Sequence, residues 1–150
     1  MRRFFLLLTA AAVLTSCSDN MSSQQEKAGR AATAFAEAYF NYDFTRAVEL
    51  TTPETSKWIR FAASSISQEN VDMLNTRSEG AVVTLSDCQV LNDTICEVLL
   101  EVDNYLAADS IGHSGVFRHN GEYLLTVVLR NGQWQVRMAG LLRNGKHSRD

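Results

Sequence analysis

The sequence predicts an α+β domain, with N-terminal helices packed on one face of an antiparallel sheet of four or five strands. Three observations predict it. From about Glu26, apolar residues recur at three- and four-residue steps, the period of a helix. After Gly80 the period drops to two, with Cys96, Val98, Leu100 and Val102 alternating against Glu97, Glu101 and Asp103, so one strand face is dry and the other wet. Near the end an Asn131-Gly132 pair marks a hairpin, because both residues accept the positive φ of a tight turn. Helices first and strands afterwards is the order of an α+β fold rather than of alternating βα units.

The first helix is expected over 26–42, with Ala28, Ala32, Phe35, Ala36, Tyr39 and Phe40 on its inner side. Its alanines favour helix and permit close packing. Asp43 is placed to cap a short second helix reaching Leu50. Thr52-Pro53 reads as a cap and first-turn proline for a third helix that carries Trp58, Phe61, Ala62, Ser65 and Ile66 on one face. Ser67 either caps a further short helix, with Ile66 and Val71 as a hydrophobic staple, or lies within a helix running to about Leu74.

The stretch VVTLSDCQVLNDTICEVLLEV is expected to form a hairpin that holds Cys88 and Cys96. A two-residue Asn92-Asp93 turn puts the two sulfurs on opposite faces, whereas a three-residue loop from Leu91 to Asp93 brings them together. A Cys88–Cys96 disulfide therefore requires the odd-length loop; the competing reading is two small buried thiols. Two Asn-Gly turns follow, at 120–121 and 131–132. The second sets Leu129 opposite Trp134, Val127 opposite Val136 and Leu125 opposite Met138, an unbroken apolar face, with Arg130–Gln133, Val128–Gln135 and Thr126–Arg137 on the other.

The first residues carry a different message. Met1-Arg2-Arg3 is followed by an apolar run over 4–14 and then by Leu14-Thr15-Ser16-Cys17. Basic start, apolar middle and small residues before a cleavage point are the grammar of a secretory signal. The run is too short for a membrane span, which needs roughly 20 residues. The Leu14–Cys17 stretch resembles the lipobox of bacterial lipoproteins. In that family the cysteine thiol receives a diacylglyceryl group, the chain is cut just before it, and the new amino group is acylated. The resemblance implies lipidation at Cys17, a membrane partner held through its acyl chains, and an extracytoplasmic place in the bacterial cell envelope, facing the periplasm or on the cell surface. The expected organisation is a signal peptide at 1–16, a lipidated cysteine and polar tether at 17–25, the α+β domain at 26–143 and a polar tail at 144–150.

The 150 residues include 14 basic and 17 acidic side chains, a net charge of −3. Without Arg2 and Arg3 the balance is twelve against 17, or −5. Such a surface does not suit the phosphate backbone, so no nucleic-acid partner is expected. The basic residues of the tail RNGKHSRD read as a solvated end. Two thiols with no neighbouring histidine do not make a metal site. No P-loop, dinucleotide fingerprint, H-E-x-x-H or G-x-S-x-G motif is present, and no cofactor is expected.

The stretches AFAEAYFNYDFTRAVELT and YLLTVVLRNGQWQVRM resemble those of the nuclear-transport-factor-2-like (NTF2-like), or cystatin-like, fold over about 26–142. No strand hairpin separates the early helices here, so a reduced version of the cone is expected. The resemblance implies a curved sheet that wraps the first helix and can enclose a cavity. Relatives include ketosteroid isomerase-like and dehydratase enzymes, small-ligand binders and protein-interaction modules, and fold alone does not choose among them. Enzymes of this fold use a carboxylate or histidine with tyrosine partners. The pocket candidates are accordingly Tyr39, Trp58, Asp103, Tyr105 and Tyr123, with Tyr42, Asp43 and His113 also worth inspection. Plainer roles compete: a helix cap for Asp43, a solvated strand face for Asp103, a surface loop for His113, and core packing for Tyr39 and Trp58. The leading expectation is a non-enzymatic, lipid-anchored binding or interaction module of unknown ligand, with a small apolar ligand or an envelope protein as its candidate partner. The rivals are a cofactor-free lyase or isomerase acting on an apolar substrate, and an accessory subunit docked on an envelope protein.

Overall fold

The structure is a computed structural model that describes residues 22–108 and 114–145. The leader, Cys17, most of the expected tether, His113 and the end of the tail lie outside the described residues. Five helical pieces precede four strands: α1 (Ser23–Phe40), α2 (Phe44–Glu49), a 3₁₀ turn (Pro53–Thr55), α3 (Ser56–Ser64), α4 (Gln68–Thr76), β1 (Val82–Asn92), β2 (Ile95–Ala107), β3 (Val116–Arg130) and β4 (Gln133–Arg137). The strands form one antiparallel sheet in sequence order.

α1 starts three residues before the expected Glu26 because Ser22 and Gln25 form a capping box. The Ser22 hydroxyl accepts from the Gln25 amide (3.2 Å), and the Gln25 side chain accepts from the Ser22 amide (2.9 Å). The Gln25 side chain also donates to the Cys88 carbonyl (2.8 Å), pinning the first turn to β1. Ala28, Ala32, Phe35 and Ala36 are fully buried against the sheet, where Val98, Leu100, Val102, Leu125, Val127 and Val136 meet them. Each large side chain withdrawn from water there contributes about 1.5–3 kcal/mol. Asp43 caps α2 by accepting from the Arg46 amide (3.2 Å), and Ser67 caps α4 by accepting from Asn70 (3.2 Å). Thr52 makes no side-chain cap; its hydroxyl pairs with that of Thr55 (2.8 Å) in the core.

The second Asn-Gly pair makes the expected turn, with Asn131 at φ 51° and Gly132 at φ 75°. The register is as read from the sequence from Thr126–Arg137 to Arg130–Gln133, but the ladder stops there. Leu125 and Met138 are not paired: Met138 lies beyond β4 and its amide donates to the buried Thr55 hydroxyl (2.9 Å).

Two expectations are corrected. Asn120-Gly121 is no turn; β3 runs straight through it, with Asn120 opposite Asp103 and Gly121 opposite Val102. The glycine is needed there for space, since a Cβ would lie 2.3 Å from the Tyr105 hydroxyl. The Cys88–Cys96 disulfide with its three-residue loop is also absent, both thiols being free. β1 and β2 are joined by Asp93 and Thr94, and irregularities after Leu85 and Val90 shift the register. Cys88 therefore faces Val98, and Cys96 faces Val90. The cysteines are diagonal neighbours on the inner face and are not opposed.

Candidate functional site

α1 ends in aromatic residues, and they do not all find places in the core. After Phe40 the chain turns sharply, with Tyr42 in the left-handed region (φ 63°) and its hydroxyl donating to the Leu106 carbonyl (2.6 Å). A positive φ on a bulky residue is strained. Here the hydroxyl bond and ring contact with Phe44 (5.4 Å) hold it. Beyond this turn α3 departs from the sheet. The face expected to be core carries Phe61, Ala62, Ser65 and Ile66, which instead line one side of a cavity of about 520 Å³. That volume lies in the range of small-molecule sites.

The opposite wall is aromatic. Phe40 lies between Tyr105 (centroids 5.2 Å apart) and Tyr123 (4.6 Å), and Tyr39 packs edge-on to Phe40 (5.2 Å) and Phe44 (5.7 Å). Tilted and edge-on ring pairs of this kind fix one another in place. The pole of the cavity is polar. Tyr123 donates to the Tyr105 hydroxyl (3.0 Å), and the Asn144 side-chain amide donates to the same oxygen (3.4 Å). Asn144 is itself held by the Glu122 amide, which donates to its Oδ1 (3.1 Å). The Tyr105 oxygen thus receives two hydrogen bonds. Burial pushes the Tyr39 phenol up to about 12, so it stays protonated and able to donate. Leu141, Leu142, Arg118 and Arg143 also line the cavity, as do Leu106, Ala107 and Ala108.

Three of the five pocket candidates, Tyr39, Tyr105 and Tyr123, come together here. Trp58 does not line the cavity; it packs at the edge of the core with Lys57 over its ring (5.2 Å). Asp103 lies across the sheet from the cavity, where its carboxylate accepts from the Asn120 side chain (2.8 Å). Asp103 keeps the outward parity of Glu97 and Glu101, and the alternation breaks only after it. Asn104 takes φ 53°, and that break brings Tyr105, which shares the parity of Asp103, to the buried side with Val102. Asn144 was assigned by sequence to the solvated tail, yet its side chain reaches the buried tyrosines. Phe40 is visible in the sequence only as an apolar helix residue, and Phe44 carries no separate signal. One overlooked signal was a glycine inside a strand, which marks a close approach, here by Tyr105.

Comparison with known proteins agrees with both parts of the chain. Residues 1–18 match the family described as a prokaryotic membrane lipoprotein lipid attachment site. Among solved structures, the chain resembles an NTF-2-like protein of unknown function from Shewanella oneidensis MR-1 (TM-score 0.51, 9% identity, 74% of this chain and 92% of that one). It also resembles a ketosteroid isomerase-like protein from Erwinia carotovora atroseptica (TM-score 0.51, 13% identity, 77% and 92%). No curated protein sequence matches it. The chain thus carries a lipoprotein lipid attachment site in its first 18 residues and, after it, a domain with the NTF2-like fold. No helix among the described residues is long and apolar enough to cross a membrane.

Proposed function

We propose that this lipoprotein is a tethered receptor for a small, mostly apolar molecule that carries one hydrogen-bond-accepting group. In this reading residues 1–16 are removed, Cys17 bears the acyl chains, and the folded domain binds its ligand extracytoplasmically. The observation that carries it is the cavity of about 520 Å³, with an aromatic body and the Tyr105–Tyr123–Asn144 cluster at one pole. An apolar ligand body fits the rings, and a carbonyl or similar acceptor fits the phenol and amide groups of the lining. One structural relative is a ketosteroid isomerase-like protein, which raises isomerase chemistry as the rival reading. The described lining residues offer phenols, an amide and guanidinium groups, which hold a ligand, but no carboxylate or imidazole to move a proton.

The test is native mass spectrometry of protein purified from membranes, followed by re-addition of any recovered compound in a thermal unfolding assay. A retained small molecule that raises Tm, and binds about fivefold less tightly to Tyr105→Phe, supports the reading, one lost hydrogen bond being worth about 1 kcal/mol. Recovery of no compound, together with no response to a panel of apolar carbonyl compounds, overturns it.

A further inference from the structure

The end of the domain nearest the anchor can be identified, and it is not the end that holds the cavity. Only residues 18–21 separate Cys17 from the cap of α1 at Ser22, so even a fully extended chain keeps the cap within about 18 Å of the acylated residue. Beside that first turn lies the β1–β2 connection. The Gln24 side-chain amide donates to the Asn92 carbonyl (2.6 Å), and the Leu129 amide donates to the Thr94 carbonyl (2.8 Å). The tip of the hairpin, the base of α1 and the β3–β4 end are therefore neighbours. On this tip two consecutive apolar side chains face water, Val90 at 38% and Leu91 at 49% exposure. The cavity is lined by Tyr39 and Phe40, at the opposite end of an 18-residue helix about 27 Å long, and by Tyr105, Leu106 and Ala107 at the far end of β2.

We propose that Val90 and Leu91 rest in the headgroup region of the bilayer that holds the lipid anchor, so that the cavity is directed away from the membrane. The proposal rests on acylation at Cys17. Two exposed side chains are too weak to recruit a free protein to lipid. They suffice for a domain already tethered within about 18 Å, because the tether raises their effective concentration at the surface to millimolar or more. The occupant is a lipid surface rather than a protein, since the short tether presents this tip to the bilayer before any other surface. Asp93 at the turn, with Asp87 on the same hairpin, makes a zwitterionic surface a better seat than an anionic one. One consequence is that ligand enters the cavity from the aqueous side and is not drawn out of the bilayer.

The test uses the full acylated protein in phosphatidylcholine vesicles containing a lipid with a shallow nitroxide quencher. A small fluorescent amino acid is placed at Leu91 in one sample and at Leu141, on the cavity lining, in another. Vesicle flotation reports the anchor and quenching reports the contact. Expected is flotation of both, with quenching several-fold stronger at position 91. In a further pair the probe sits at Gln89, with and without the double substitution V90S/L91S; the substitution should cut its quenching several-fold. Flotation with equal quenching at 91 and 141, or a Gln89 signal indifferent to the double substitution, overturns the contact while leaving the anchor standing. Failure to float overturns the anchor and the contact with it.

Discussion

Gly121 sets the position of the cavity's polar pole by having no side chain. Its missing Cβ leaves room for the Tyr105 hydroxyl, which then reaches both Tyr123 and Asn144. In Gly121→Ala the new carbon would fall 2.3 Å from that oxygen and 3.1 Å from the Asn144 nitrogen. Either Tyr105 swings away and abandons both bonds, or β3 bends. Overpacking of this kind costs about 1–3 kcal/mol. Urea unfolding should show that loss, and a variant as stable as the parent would mean that Tyr105 is not confined there. The sequence offered the wrong role for this residue because Asn-Gly is the hairpin dipeptide, and nothing local separates residues 120–121 from 131–132. Only the second pair takes positive φ at both residues; the first continues a strand. The Tyr105–Asn144 bond joins residues 39 positions apart, and no periodicity reports such a pair.

Helix and strand periods are local, which is why α1, β2 and the β3–β4 hairpin were readable from residue spacing. The β1–β2 register was not, because it depends on two irregularities that leave no mark on the alternation of Cys96, Val98, Leu100 and Val102. Those irregularities leave the thiols under the first turn of α1, where Gln24 donates to Cys96 (3.7 Å) and Cys88 donates to the Gln25 carbonyl (3.6 Å). Burial pushes the Cys88 thiol up to about 11, with the neighbouring Cys96 adding to it, and burial also raises Cys96. The folded state therefore holds these protons more tightly than the unfolded chain. The stability so gained is whole below the ordinary thiol value of about 9 and is lost as pH rises from there through about 11. Under reducing conditions the free energy of unfolding should fall between pH 9 and 10, before the buried Tyr39 phenol adds its own decline above 10. The double substitution C88S/C96S should flatten the 9–10 segment. An equally steep decline in that variant would assign it to other groups.

The architecture follows from chain order, helices then a meander, but the cavity does not. It exists because α3 turns its apolar face toward a space that neither α1 nor the sheet fills, leaving Phe61 at 42% exposure beside Ala62, Ser65 and Ile66. A helix face of this composition reads as core in a sequence, since spacing tells which residues share a face and not whether anything covers them. The distinction can be tested by filling the space. Ala62→Phe adds a ring to the cavity wall without touching Tyr105, Tyr123 or Asn144. If the space is open, the ring enters it at little cost, so the free protein should keep its stability or gain from the added apolar contact. A ligand present at a hundred times its dissociation constant should raise the parent's stability by about 2.7 kcal/mol, and the filled variant should lose most of that gain. Measured together by unfolding with and without ligand, a retained response would place the ligand elsewhere. A large loss of stability in the free variant would mean that the space is closed by its own walls.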